Sequence, residues 1–244
     1  MIRIEALTKS YGSRAAVDGL SFSVAAGEIL GLVGPNGAGK TTTLRCLCGV
    51  IPAGSGQIEI AGHDLIQAPI RARRALAFIP DEPKLFEHLT VRDHLMFQAR
   101  LYGVTDAAER GSTLLREFQL EDRLDAFPAE LSRGMKQKLM VTLALMHRPS
   151  ALVLDEPLTG LDPAAMRRMK ETILRTAAAG AAVLISSHLL SLVEEICTRV
   201  LILKSGCAIA CGTLPEIRAA LPGLSHDADL EEIFMRATEG TQSP

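Results

Sequence analysis

Apolar residues in this chain gather in short runs separated by turn-forming and helical stretches. Runs at residues 2–7, 20–24, 29–33, 57–60, 76–79, 152–155, 183–186 and 200–203 predict strands. Several are continuous rather than alternating, as in Leu152-Val153-Leu154 and Val200-Leu201-Ile202-Leu203. Continuous runs predict strands covered on both faces. Helical patterns at residues 40–48, 136–147 and 164–179 come between them. This alternation predicts an α/β fold with a mainly parallel core sheet. From about residue 90 to 131 the strand signals stop. Val91, Leu95, Ala99 and Tyr102 fall at helical spacing behind Thr90, a capping residue. The region of about 84–135 therefore predicts a helical insertion within a domain spanning 1–212. Residues 213–244 form an extension. In it Asp229 and Glu232 have capping-box spacing, and Leu230, Ile233, Phe234 and Ala237 form one apolar stripe. The stripe predicts a short helix docked on its own domain.

Bulk properties narrow the class. Hydrophobic residues make up 48% and charged residues 22%, enough for a sizeable core and unlike a disordered chain. A formal net charge of -2 lacks the basic footprint of a general nucleic-acid binder, so no direct nucleic-acid binding is expected. No apolar run approaches the ~20 residues of a spanning helix. The first residues read as a strand and turn, without a signal peptide's apolar core. Five cysteines occur without a CxxC pair, so reduced, mostly buried thiols are expected. His63, His88, His94, His147 and His226 have no partner pattern and read as structural or surface residues.

The strongest chemical signal is Gly34-Pro35-Asn36-Gly37-Ala38-Gly39-Lys40-Thr41, followed by Thr42. It matches a phosphate-binding loop, GxxxxGK[ST]. Its context fits, since a strand at 29–33 runs in and a helix runs out. Such a loop presents backbone N–H groups and a helix N-terminus to phosphate. Lys40 is expected to reach the β- and γ-phosphates, and the Thr41 hydroxyl to ligate Mg²⁺. A second apolar strand ends in Asp155 and Glu156. Asp155 is placed to hold Mg²⁺ beside the phosphates, and Glu156 to polarise an attacking water.

Taken together, these motifs resemble the ABC ATPase family over about residues 2–212. Leu131-Ser132-Arg133-Gly134-Met135 lies where that family carries its LSGGQ signature. Gly160-Leu161-Asp162-Pro163 looks like its D-loop, Ser186-Ser187-His188 like its switch histidine, and Tyr11 like the aromatic that stacks on adenine. The resemblance implies a P-loop fold with an antiparallel β part and an inserted helical subdomain. It implies two copies paired head to tail with two ATP molecules between them, Ser132 and Gly134 of one copy facing the γ-phosphate held by the other. Glu156 would be the general base, His188 would contact the γ-phosphate, and Asp162 would communicate across the dimer. A separate integral membrane permease is the implied partner, with the ATPase peripheral on the cytoplasmic face of the membrane.

Three positions depart from the family pattern. Asp81 stands where a glutamine is usual in the Q-loop; it can ligate Mg²⁺ but, ionised, cannot donate a hydrogen bond. Arg133 and Met135 replace a glycine and the glutamine of the signature. IPDEPKLFEHLT, LSRGMKQKL and LEEIF resemble a bacterial exporter branch with antibiotic-resistance and A-subfamily-like members. Export direction rests on that resemblance. A soluble or regulatory ABC ATPase acting on ribosomes, DNA or a membrane protein is the alternative. One cassette, with no sustained heptads between phosphate loop and signature, favours the transporter reading.

Overall fold

The computed structural model describes residues 1–221, 224–225 and 227–239; His226 lies outside them. Ten strands are present among the described residues: β1 (Ile2–Tyr11), β2 (Arg14–Val24), β3 (Ile29–Val33), β4 (Ser55–Ile60), β5 (His63–Asp64), β6 (Leu76–Ile79), β7 (Ala151–Asp155), β8 (Ala182–Ser186), β9 (Arg199–Lys204) and β10 (Cys207–Gly212). They form two sheets. One is antiparallel, in the order β2-β1-β4-β5; the other runs β10-β9-β3-β8-β7-β6. In the second sheet only the edge strand β10 pairs antiparallel.

The unbroken apolar runs are resolved by the two-residue period of a strand. In β7, Ala151 and Val153 point into a core shared with the antiparallel sheet, while Leu152 and Leu154 point into a core shared with helices. In β8, Ala182 and Leu184 take the first side, Val183 and Ile185 the second. The first core is completed by Ile2, Ile4, Ile58 and Ile60, and by Leu44 and Leu47 of α1 (Lys40–Leu47). A short helix, α2 (Pro69–Arg74), connects β5 to β6 and buries Ala72 in the same core.

The helical stretch after β6 contains α3 (Val91–Tyr102), α4 (Ala107–Phe118) and α5 (Arg133–Leu145). Thr90 caps α3 in a reciprocal capping box with Asp93. His94 is tied at both ring nitrogens: Nε2 accepts from Phe86 N–H at 3.0 Å and Nδ1 donates to the Thr90 carbonyl at 2.8 Å. It is structural, as its lack of partner motif suggested. Leu95, Phe118 and Leu139 bring the three helices onto Ile79, Leu154 and Ile185 of the sheet.

The rest of the chain closes the parallel sheet. α6 (Pro163–Ala178) joins β7 to β8, α7 (Leu190–Ile196) joins β8 to β9, and α8 (Leu214–Ala220) and α9 (Leu230–Glu239) follow β10. Leu230, Ile233 and Ala237 pack on Val193, Val200 and Ile202. Asp229 accepts from the Glu232 N–H at 2.8 Å.

Three expectations need correction. The thiols are all free, but only Cys46 and Cys48 are buried; Cys207 and Cys211 are exposed, because they lie on the edge strand β10. The helix expected over 136–147 starts three residues earlier, since Ser132 caps it by accepting from Met135 N–H. Strand β1 also outruns the stretch 2–7, because register shifts interrupt its alternation.

Gly31, in the middle of β3, shows how closely the layers meet. A methyl group there would run into Val193 Cγ1 and lie 3.0 Å from Cys197 Sγ. Gly31→Ala is expected to destabilise the fold by about 1–3 kcal/mol. A lower urea midpoint with an unchanged slope would bear this out; an unchanged midpoint would mean that α7 moves away freely.

Candidate nucleotide site

Four parallel strands, β3, β8, β7 and β6, lie side by side and deliver loops at their carboxyl ends. β3 leads to residues 34–39, β7 ends at Asp155, β8 ends at Ser186, and β6 leads to Asp81. This edge is where open α/β sheets bind ligands. A cleft of about 720 Å³ lies there. It is lined by Tyr11, Asn36, Gly37, Ala38, Gly39, Lys40, Thr41, Thr42, Asp81, Asp155 and Glu156.

The loop's backbone is held by local geometry. Gly39 sits at φ 106 as the N-cap of α1, and any Cβ there would strike the Ala16 carbonyl. Only glycine adopts that conformation at that spacing. Lys40 folds back over the loop, its Nζ donating to the carbonyls of Gly34 at 2.6 Å and Pro35 at 3.3 Å. Burial pulls its pKa below the ordinary lysine value, while the Glu156 and Asp155 carboxylates act in the opposite sense. Lys40 thus lies within electrostatic reach of both acids.

Asp155 is buried and accepts a hydrogen bond from Ser186 Oγ on the neighbouring strand. Glu156 follows with φ 50, a left-handed backbone for a residue with a side chain. That conformation costs about 1–2 kcal/mol. It is braced by Glu156 N–H donating to the Ser186 carbonyl at 3.0 Å. The carboxylate meets His188, whose Nδ1 lies 2.7 Å from Oε2 and whose backbone N–H donates to the same oxygen at 3.3 Å. His188 itself is 63% exposed on its side chain and Glu156 17%, so the pair opens outward.

Ser132 and Gly134 lie elsewhere: neither lines this cleft. They begin α5, with Ser132 exposed and its oxygen engaged by Met135 N–H at 3.3 Å. Asp162 caps α6 by accepting from Ala165 N–H at 2.8 Å. Tyr11 is 54% exposed at the cleft's mouth, with Lys9 Nζ 5.5 Å from its ring centroid. Arg14, Arg45 and Lys84 also line the cleft and were not singled out from sequence. Their signal was faint, since each is one basic residue in a surface segment. Arg14 is brought in because it pairs with Tyr11 across the β1–β2 hairpin.

Among the described residues no three His, Cys, Asp or Glu side chains cluster as a metal site. The Thr41 hydroxyl and the Asp155 and Asp81 carboxylates do line one cleft. Few protein oxygens, completed by phosphate and water, suit Mg²⁺ rather than a transition metal.

The family model described as "ABC transporter" matches residues 17–159. The chain belongs to this family. It is 36% identical over 241 residues to the ABC-type transporter ATP-binding protein EcsA of Bacillus subtilis, covering 98% of this chain and 97% of that protein. It is 38% identical to the Nod factor export ATP-binding protein I of Paraburkholderia xenovorans, over 96% of this chain and 76% of that one. A solved structure of an ATP-binding subunit of an ABC transporter superposes with a TM-score of 0.93 at 39% identity, covering 98% and 99% of the two chains. The protein is therefore an ATP-binding and ATP-hydrolysing subunit of the ABC type. No helix among the described residues is long and apolar enough to cross a membrane. ABC ATP-binding subunits form dimers and pair with membrane permeases.

The buried Ser186–Asp155 bond generates a test. Ser186→Ala leaves a buried carboxylate short of a donor, and is expected to cost about 1–3 kcal/mol of stability. Chemical denaturation of the variant checks this, and an unchanged midpoint would show that another donor takes over.

Proposed function

We propose that this chain is the motor of an exporter, working as a symmetric pair that closes on two ATP molecules and drives a separate multi-span permease. The observation that carries this reading is the separation of the two nucleotide-facing elements. The phosphate loop and acid pair share one cleft, while the signature turn at Ser132 and Gly134 lies outside it. A second copy, placed head to tail, would bring its signature to the open face of the cleft. The N-terminus of α5 then adds its partial positive charge to the γ-phosphate.

Within each cleft the roles divide as follows. Loop N–H groups and Lys40 bind the phosphates, with Tyr11 against the base. Thr41 and Asp155, with Asp81, would hold Mg²⁺, which would supply charge neutralisation at the phosphates. Glu156 accepts the proton of the attacking water, and His188 holds the Glu156 carboxylate while facing the γ-phosphate. The braced left-handed backbone at Glu156 fits a group held in place before the reaction. Phosphoryl transfer needs positioning and charge stabilisation above all.

The permease would dock on the helical side. Phe86, Phe97 and Leu101 are exposed there, beside a groove that includes Lys84, Gln98 and Tyr102. Apolar side chains grouped on a surface mark an interaction site. This face supports a membrane-protein partner over a ribosome or DNA, and with it the reading of a subunit peripheral on the cytoplasmic side of the membrane. Export follows the relative whose name states Nod factor export.

Three outcomes test the proposal. Lys40→Ala is expected to weaken ATP binding by about 100-fold, the scale of losing hydrogen bonds from a charged donor; unchanged affinity in a titration would contradict the loop assignment. Glu156→Gln is expected to slow hydrolysis by about 10²–10⁴-fold while ATP still binds and dimers accumulate. Normal turnover would remove Glu156 as the base. Affinity purification of Glu156→Gln from solubilised membranes with ATP and Mg²⁺ is expected to retain a multi-span protein in fixed ratio. Recovery of ribosomal or DNA-associated proteins instead would overturn the transporter reading.

A further inference from the structure

The two charged departures from the family pattern meet in space. Arg133 Nη2 lies 3.6 Å from Asp81 Oδ1. Asp81 lines the nucleotide cleft, whereas Arg133 does not; it stands on the signature turn beside Ser132. Both side chains are more than half exposed, so the pair contributes little to fold stability. Its position matters more. An extra anion at 81 shares the cleft with Asp155 and Glu156, where a triphosphate adds further negative charge. Unbalanced, it would repel the nucleotide. The family's usual residues at these two places, glutamine and glycine, are both neutral, so here an acid and a base have been added together.

Arg133 is also held from a second side. A Cβ at Gly160, which sits at φ 78, would lie 3.3 Å from Arg133 Cδ and Nε. A Cβ at Gly134 would lie 3.2 Å from the Gly160 carbonyl. The stem of Arg133 therefore rests on the loop that follows Glu156, and its guanidinium is directed from there to Asp81.

We infer that Arg133 is a positioning residue for the nucleotide cleft of its own chain, balancing Asp81 from outside and so setting how tightly that cleft holds ATP. The same residue borders the serine offered to the second copy. Occupancy of one cleft is thereby linked electrostatically to the signature segment that completes the other. The inference rests on the cleft being the ATP site, not on the permease or on export.

The test is ATP binding by the monomer, measured with EDTA present so that metal ligation by Asp81 plays no part. Arg133→Met keeps the aliphatic stem over Gly160 and removes the charge. It is expected to weaken binding about five-fold, the scale of one partly screened charge several ångströms away. The loss should shrink as salt is raised. Adding Asp81→Asn to Arg133→Met should recover most of the affinity, and Arg133→Lys should stay within about two-fold of the starting protein. Unchanged binding in Arg133→Met overturns the inference. So does a double variant as weak as the single one, which would show that packing on Gly160, and not charge, is what counts. Lys40→Ala serves as the control: if it binds ATP as well as the starting protein, the cleft assignment itself has failed, a result separable from the other two.

Discussion

Parallel pairing of β3, β8, β7 and β6 is the constraint on which the rest depends. Each of these strands is apolar along nearly its whole length and is covered on both faces. Polar chemistry is thereby excluded from the strand bodies and pushed to their ends. Because the strands are parallel, those ends coincide at one edge. The phosphate loop, Asp155 with Glu156, the Ser187-His188 segment and Asp81 are four separate parts of the sequence made neighbours by one sheet. Hydrogen bonds between adjacent strand ends, Ser186 Oγ to Asp155 and Glu156 N–H to the Ser186 carbonyl, convert that adjacency into a fixed site.

Much of this was legible in the residues. The strand cores could be read because burial on two faces leaves an unbroken apolar run, and the phosphate loop because its glycines and Lys40 occupy set positions. The resemblance to ABC ATPases supplied the roles that spacing alone could not. What escaped was local. β1 and β2 continue through register shifts that scramble alternation, so their outer halves looked like loop. Strand β5 and helices α2 and α8 are short, too short for a period to show in the residues. The start of α5 was misplaced because Arg133 and Gly134 look unlike a helix opening, whereas the Ser132 cap decides it.

The site also escaped in one respect. Sequence order places Glu156 and His188 in different segments, and nothing in the spacing says that Nδ1 should reach Oε2. That contact depends on β7 and β8 being paired with Asp155 opposite Ser186. The Asp81–Arg133 pair is similar. Each residue looked like an isolated departure, and their meeting depends on how α5 lies across the loop after Glu156. Charges of opposite sign in distant motifs are informative only once the fold says which motifs touch.

The strand order has a consequence for how the protein comes into being. β3, which carries the phosphate loop, lies early in the chain, yet both of its neighbours, β8 and β9, come from the last third. During synthesis the loop is made long before anything exists to flank it. A nascent chain ending before residue 182 displays the complete phosphate motif on a strand with two open edges, a template for pairing with other chains. Such non-local pairing also makes folding slow. The nucleotide cleft is therefore among the last features to mature, and a ligand that binds only the finished cleft pulls folding to completion by mass action.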